Sequence, residues 1–433
     1  MSTELALSDL HDSVADPASS AMTFLNEVVE RFPEAVSFAP GRPAEGEFRT
    51  ADITRYLAAY VSYLSEVEGF SAQRIATELF QYGRTNGQIH PLIARTVAND
   101  EDIVVDPEAV VVTVGAQEGM LLVLRALFAG PADVLLVASP CYVGITGVAR
   151  LLGIEMVPVP EGPEGVEPAV LLEISNRVRA TGKRPRALYL VSDFANPTGS
   201  SIPGARRRQL LDAAAAADLL VIEDNPYGFF RRAGESPLPL KALDADHRVI
   251  YLGSFAKTCI PGARVGYVLA DQPVTDAHGR RTLLAQELSK IKSMVTVNTS
   301  TVSQAVIGGM LVDSGFRLRE ANTDAIKWYA QNLQLLLDEL SDRFAGRTGV
   351  AWTRPDGGFF VVVDVPFRAD DAALERSARD FGVLWTPMTY FHIDGGGTRQ
   401  LRLSCSALAP DDIRAGVARL ADFIESEELR TLL

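Results

Sequence analysis

Cysteine, histidine and tryptophan are scarce, at three, five and three residues in 433. Cys141, Cys259 and Cys405 are isolated and odd in number, which argues against a disulfide framework or a CxxC metal site. His11, His90, His247, His278 and His392 are scattered without ligand spacing, so no metal is expected. No uninterrupted apolar run reaches the roughly 18 residues that a membrane span needs. Positive charge is also short: 41 Lys and Arg stand against 55 Asp and Glu, a net charge of -14. That balance disfavours nucleic acid or an anionic membrane as partner. The basic run Arg206-Arg207-Arg208 reads as decoration of a helix start. The opening MSTELALSDLHDS has no basic segment followed by an apolar core, so no signal peptide is expected and the setting is read as cytoplasmic.

What is present is the composition of a globular protein, 47% apolar and 22% charged, and a length that implies roughly two or three domains. Residues 1–50 read as a helix (about Ser20 to Arg31) and a Pro/Gly-rich arm. From about Asp52 to Ala98 the pattern is helical, broken by a turn-rich stretch at 81–87. Strands are then expected at 109–114, 134–137, 155–159, 187–191 and 219–223. Helices are expected at 117–128, 143–152 and 204–217. This alternation predicts an α/β fold, a mainly parallel sheet with helices on both faces. After Asp271 the spacing predicts helices at 283–292, 301–314 and 316–343. Strands follow near 361–365, 384 and 401–404, then a helix from Pro410 to about Glu425. The expected division is an N-terminal arm contributing to a small domain (1–50), a large domain (51–315), and a small α+β C-terminal domain (316–433).

The stretch VIYLGSFAKTCIPGARVGYVL, Val249 to Leu269, places Ser254, Lys257 and Arg264 on a loop between two apolar strands. A lysine among apolar strands tends toward the neutral, nucleophilic amine. Ser254 and the always-charged fork of Arg264 suit an anion. Other polar residues fall at carboxyl ends of expected strands, where open α/β sheets bind ligands. Gly115-Ala116-Gln117 opens a helix whose free amides can hold an anion. Tyr142 follows Pro140 and Cys141 and offers a ring face for stacking. Asn196 opens an Asn-Pro-Thr-Gly turn. Asp224 ends the 219–223 strand with Tyr227 close by, while Glu223 points to the opposite face as a structural group. Each of these has a bland alternative as a turn, cap or surface residue. Together they match the needs of pyridoxal 5'-phosphate. Asp224 would serve the ring nitrogen, and Asn196 and Tyr227 the phenolic oxygen. Ala116, Gln117, Ser254 and Arg264 would serve the phosphate, and Lys257 the aldehyde.

The stretches QYGRTNGQIHPL, VTVGAQEGM, PCYVG, NPTG, IEDNPYG, SFAKTCIPGARVGY, PDGGFFVVVDVP and LRLSCS occur in the order found in fold-type I, class I/II aminotransferases, which the chain resembles over about 81–404. The resemblance implies that Lys257 forms the Schiff base and serves as proton shuttle, Asp224 pairs with the pyridine nitrogen, and Tyr142 stacks on the ring. It further implies that Tyr82 reaches the phosphate in a second subunit, hence a homodimer with shared sites. Gly41, Asn196 and Arg402 become the substrate contacts, Arg402 gripping the α-carboxylate. Substrates would be an α-amino acid and a 2-oxo acid, with ping-pong kinetics. LHDSVADPASSAMTFLNE, KSMVTVNTS and WTPMTYF are more narrowly similar to the dihydroxyphenylglycine aminotransferases of glycopeptide-antibiotic pathways, which implies aromatic donors and arylglyoxylate acceptors. Pro387-Met388-Thr389 departs from the Pro-Gly-Ser of many members, which puts a generic substrate range in doubt.

Rival readings remain open at this stage. Elimination, replacement, decarboxylation or oxidation would use the same Lys257 and Asp224, because fold does not fix which bond breaks. A general aromatic or 2-aminoadipate-type aminotransferase is another. A regulator with a DNA-binding module is disfavoured by the short acidic stretch ahead of residue 50. The Gly199–Gly204 spacing is no phosphate loop, since Ala205-Arg206 stands where Lys-Ser/Thr is required.

Overall fold

The computed structural model describes residues 5–14, 24, 27–44 and 49–432. The helix expected over about 20–31 falls largely outside the described residues, and 27–31 within them are helical. The main sheet runs, edge to edge, Val110–Thr113, Gly266–Leu269, Val249–Ser254, Leu220–Asp224, Arg184–Val191, Asp133–Ser139, Glu155–Gly162 and Gly165–Val166. Gly266–Leu269 is antiparallel to both neighbours, and Gly165–Val166 folds back on Glu155–Gly162; the other pairings are parallel.

Strand alternation builds two cores from one sheet. Leu135 and Val137 pack on one face with the helices Gly115–Leu127 and Val143–Leu151. Val134, Leu136 and Ala138 face the other side, against Pro168–Ala180 and Gly204–Ala216. The apolar runs are nearly continuous because both faces are covered. A smaller antiparallel sheet, in the order Ala351–Trp352, Phe360–Asp364, Gln400–Ser404 and Thr386–Pro387, has its own core. The helix Thr323–Phe344 serves both: Tyr329 packs in the large core, Leu333 to Phe344 in the small one.

Several expectations need correction. The helix expected over 316–343 breaks at Asn322, whose side-chain amide donates to the Leu318 carbonyl and the Thr258 carbonyl. The helical region from Asp52 is also broken at 67–71, around Gly69 at φ 67°. The helix Pro168–Ala180 went unread, and the last helix continues to Leu432. Arg207 is no surface decoration. It is fully buried and donates to the carbonyls of Ile202, Leu238 and Ser192 and to Asp193 at 2.6 Å.

Candidate active site

Ser254 lies on the last residue of its strand rather than on the loop, and its hydroxyl accepts the Ala256 amide at 3.2 Å. Three residues on, Lys257 is half-buried and donates to the Gly41 carbonyl at 2.6 Å. Burial pulls its pKa down to about 8, helped by the positive charges of Arg402 and Arg264. The next strand over ends in Asp224, which is buried and accepts the Tyr189 hydroxyl at 2.7 Å. Burial pushes the Asp224 carboxyl up to about 7, against the pull of the Tyr189 hydrogen bond, and no lysine, arginine or histidine among the described residues pairs with it. A buried acid in this condition favours a cationic N–H partner. Glu223 points the other way and accepts the amides of Leu240 and Lys241, both at 2.8 Å.

The anion cradle forms where the first strand turns into Gly115–Leu127. Gly115 has φ 67°, and a Cβ there would meet the Arg264 guanidinium at 2.4 Å. A Cβ on Gly266 would lie 2.7 Å from the Ala116 amide nitrogen. Arg264, itself left-handed at φ 52°, is exposed and has no acidic partner among the described residues. The open first-turn amides of Ala116 and Gln117, with this guanidinium beside them, can hold a phosphate. Gln117 Nε2 donates to the Gly144 carbonyl at 3.0 Å, and a Cβ on Gly144 would strike the Tyr142 ring, so the cradle and Tyr142 are contiguous.

The smaller sheet contributes Arg402. Its neighbours Leu401 and Leu403 are buried in the core below, so Arg402 faces the seam between sheets. Its guanidinium donates to Asn196 Oδ1 at 2.6 Å, the Ala39 carbonyl at 2.5 Å and Thr386 Oγ1 at 3.1 Å. Nε is buried without a partner among the described residues. Two rings flank the group, Phe360 at 4.5 Å and Phe391 at 5.0 Å. The Asn196 side chain also lies beside the buried Tyr227 hydroxyl, whose pKa is raised by burial. Tyr227 packs edge-on against Phe359 and Phe360. Gly41 admits no side chain, since a Cβ would lie 2.5 Å from Phe360. The charges of Asp224, Arg264 and Arg402 all reach Tyr142, those of Asp224 and Arg402 reach Tyr227, and those of Arg402 and Arg264 reach Lys257, so these groups and Asn196 converge with the cradle alongside. Tyr82 stands apart, 85% exposed.

Tyr189, Phe360 and Phe391 escaped the sequence reading. Tyr189 reads as one more apolar strand residue, and its bond to Asp224 depends on the pairing of Arg184–Val191 with Leu220–Asp224. No local signal places Phe391 beside a residue 11 positions away across a turn.

The acid without a cation, the low-pKa amine, the glycine-cleared cradle and the half-satisfied guanidinium fit pyridoxal phosphate. The family model for aminotransferase class I and II matches residues 65–420, and the chain belongs to that family: it is a pyridoxal-phosphate-dependent transaminase of the fold-type I class. It is 48% identical over 425 residues to an (S)-3,5-dihydroxyphenylglycine transaminase of Amycolatopsis orientalis, covering 98% of this chain and 95% of that protein. It is similar to the crystal structure of a multiple substrate aminotransferase from Thermococcus profundus, with TM-score 0.83 and 29% identity over 98% of this chain and 99% of that one. The α-aminoadipate aminotransferase from Thermus thermophilus, solved with N-(5'-phosphopyridoxyl)-L-leucine, superposes with TM-score 0.77 and 30% identity over 98% of this chain and all (100%) of that one. Among the described residues no helix is long and apolar enough to cross a membrane.

Proposed function

We propose that this transaminase moves an amino group from an aromatic α-amino acid to a 2-oxo acid, and that an arylglyoxylate is its acceptor, giving an arylglycine for antibiotic biosynthesis. The observation that carries the α-amino-acid reading is Arg402, a buried guanidinium whose Nε has no partner among the described residues and whose charge reaches the Lys257 amine. The aromatic preference is supported by the near-full-length likeness to the dihydroxyphenylglycine enzyme and by the Phe360 and Phe391 rings beside Arg402.

When bound, pyridoxal phosphate supplies an electron sink for the pair released at the substrate α-carbon. The chain's residues do the rest. Arg402 grips the carboxylate and fixes which α-bond faces Lys257. Lys257 Nζ, its pKa pulled down to about 8 by burial and two guanidinium groups, takes the α-proton and later returns it. Asp224, oriented by Tyr189, would keep a proton on the pyridine nitrogen. Asn196 and Tyr227 would donate to the phenolic oxygen. The amides of Ala116 and Gln117, the Ser254 hydroxyl and Arg264 would hold the phosphate. Tyr142 would cover one ring face, and Gly41 would close the substrate side by backbone alone.

Tyr82 acts in a second copy of the chain. Phe80, Tyr82, Met294, Val297 and Val302 are exposed, and Thr301 ties this region together by donating to the Leu79 carbonyl. Such a patch on the flank of the site suits a homodimer. The domain division proposed is 51–315 for cofactor binding, with 316–433 and the first 50 residues forming the smaller unit. A cytoplasmic setting accords with the three free, buried cysteines.

A half-reaction screen tests the substrate class: each amino acid is mixed with holoenzyme and loss of the visible cofactor band is followed. Dihydroxyphenylglycine, phenylglycine and tyrosine are expected to react faster than 2-aminoadipate or aspartate. A reversed order overturns the aromatic reading in favour of an aminoadipate-type enzyme, and bleaching without oxo-acid formation overturns transamination.

A further inference from the structure

The turn that carries Asn196 is held from behind by a carboxylic acid that none of the roles above uses. The turn closes on itself: the Ala195 amide donates to the Ser200 carbonyl at 2.9 Å, and the Gly199 amide to the Ala195 carbonyl at 2.7 Å. Its outer hydroxyls, Thr198 and Ser200, meet Glu161 Oε1 at 2.7 and 3.1 Å, and each other at 2.8 Å. Glu161 projects from the far end of Glu155–Gly162, and no lysine, arginine or histidine among the described residues pairs with it. Three oxygens therefore form a triangle with three short edges. Two hydroxyls supply two hydrogens, so one edge lacks a hydrogen unless the carboxyl brings a third.

We propose that Glu161 is a positioning residue, which carries a proton to complete this ring, thereby fixing the Asn196 turn against Arg402, and which loosens the turn when it ionises. The proposal rests on the carboxylate-gripping role of Arg402 given above. Burial pushes Glu161 up to about 7, while the two hydroxyls pull the other way. A carboxyl raised above its ordinary value stabilises the turn while protonated. The hold is complete at acid pH and fades as pH rises through about 7. The other titratable groups facing this turn are fixed or remote. Asp193 is tied to Arg207 at 2.6 Å with Arg231 at 3.9 Å, Arg206 is engaged by Glu164, and the buried Cys141 thiol is itself pushed upward by burial and by Glu161. Lys257 and Asp224 also titrate in this range, so a variant must separate them from Glu161.

The probe is 3-phenylpropionate, an unreactive aromatic carboxylate, titrated calorimetrically into holoenzyme at about pH 6 and about pH 8.5. Between these, the wild type is expected to lose roughly fivefold more affinity than Glu161→Gln, the equivalent of one neutral hydrogen bond. Glutamine offers a donor and an acceptor at every pH. Ser200→Ala, which reduces the triangle to a single edge needing no carboxyl proton, is expected to behave as Glu161→Gln does. If both variants follow the wild-type pH dependence, the proposal is overturned; should Glu161→Gln not fold, Ser200→Ala alone decides. Arg402→Ala is run in parallel: wild-type affinity there removes the carboxylate reading itself, whereas lost affinity together with pH-independent wild-type binding removes only the role of Glu161.

Discussion

Lys292→Met tests how the phosphate cradle is braced. Lys292 Nζ lies 2.7 Å from Glu118 Oε2, with side-chain exposures of 0% and 6%, so solvent does not screen the pair. Lys292 also donates to Thr296 Oγ1 at 2.9 Å, and Thr296 donates to Glu118 Oε1 at 2.6 Å. Glu118 in turn accepts the Val114 amide at 2.6 Å, at the turn from which Ala116 and Gln117 emerge. With the ammonium gone, the carboxylate is left buried without its cation. At an effective dielectric constant of about 20 the attraction forfeited at 2.7 Å is about 6 kcal/mol. Part of that is offset because the ammonium no longer has to be desolvated, so the expected loss is about 3–5 kcal/mol, the usual range for removing one partner of a buried pair. Urea unfolding of the apoenzyme at pH 7, followed by circular dichroism, measures this. The double variant Glu118→Gln/Lys292→Met is expected to recover most of the loss. A loss below about 1 kcal/mol, or a double variant no more stable than Lys292→Met alone, refutes the reasoning.

Two further predictions follow from the same geometry. The rate at which apoenzyme is reconstituted by pyridoxal phosphate should rise with pH through about 8, as Lys257 sheds its proton and becomes nucleophilic; a flat profile by stopped-flow absorbance counts against that amine. Inactive Tyr82→Ala and Lys257→Ala chains, mixed and allowed to exchange, should regain activity through hybrid dimers, and no recovery despite exchange seen by native mass spectrometry removes Tyr82 from a shared site.

The α/β layering was legible because its strands are short apolar runs bounded by glycine and proline, and period alone separates them from the helices. The residues at strand ends were legible for the same reason: Asp224, Ser254 and Gly115 each sit where a run stops. What stayed hidden depends on register and on chain segments far apart in sequence. The Tyr189–Asp224 bond needs the pairing of two strands, and the Phe391 ring reaches Arg402 only after the 388–391 turn folds over the smaller sheet. Arg207 misled because charge density in sequence says nothing of which member of a run faces inward. The Pro168–Ala180 helix does carry a signal, with Leu171, Ile174 and Val178 recurring at helical spacing toward the core and Glu173, Arg177 and Arg179 facing water.

The Asn196–Arg402 bond joins groups carried on two sheets, whose cores meet at Phe359 and Phe360. Lys257, Asp224 and the cradle all stand on the larger one. Melting of the smaller sheet alone would therefore leave a protein that still holds its coloured prosthetic group yet is blind to amino acids. Pigment retention and turnover would then decay at different temperatures, and colour would be a poor gauge of intact enzyme.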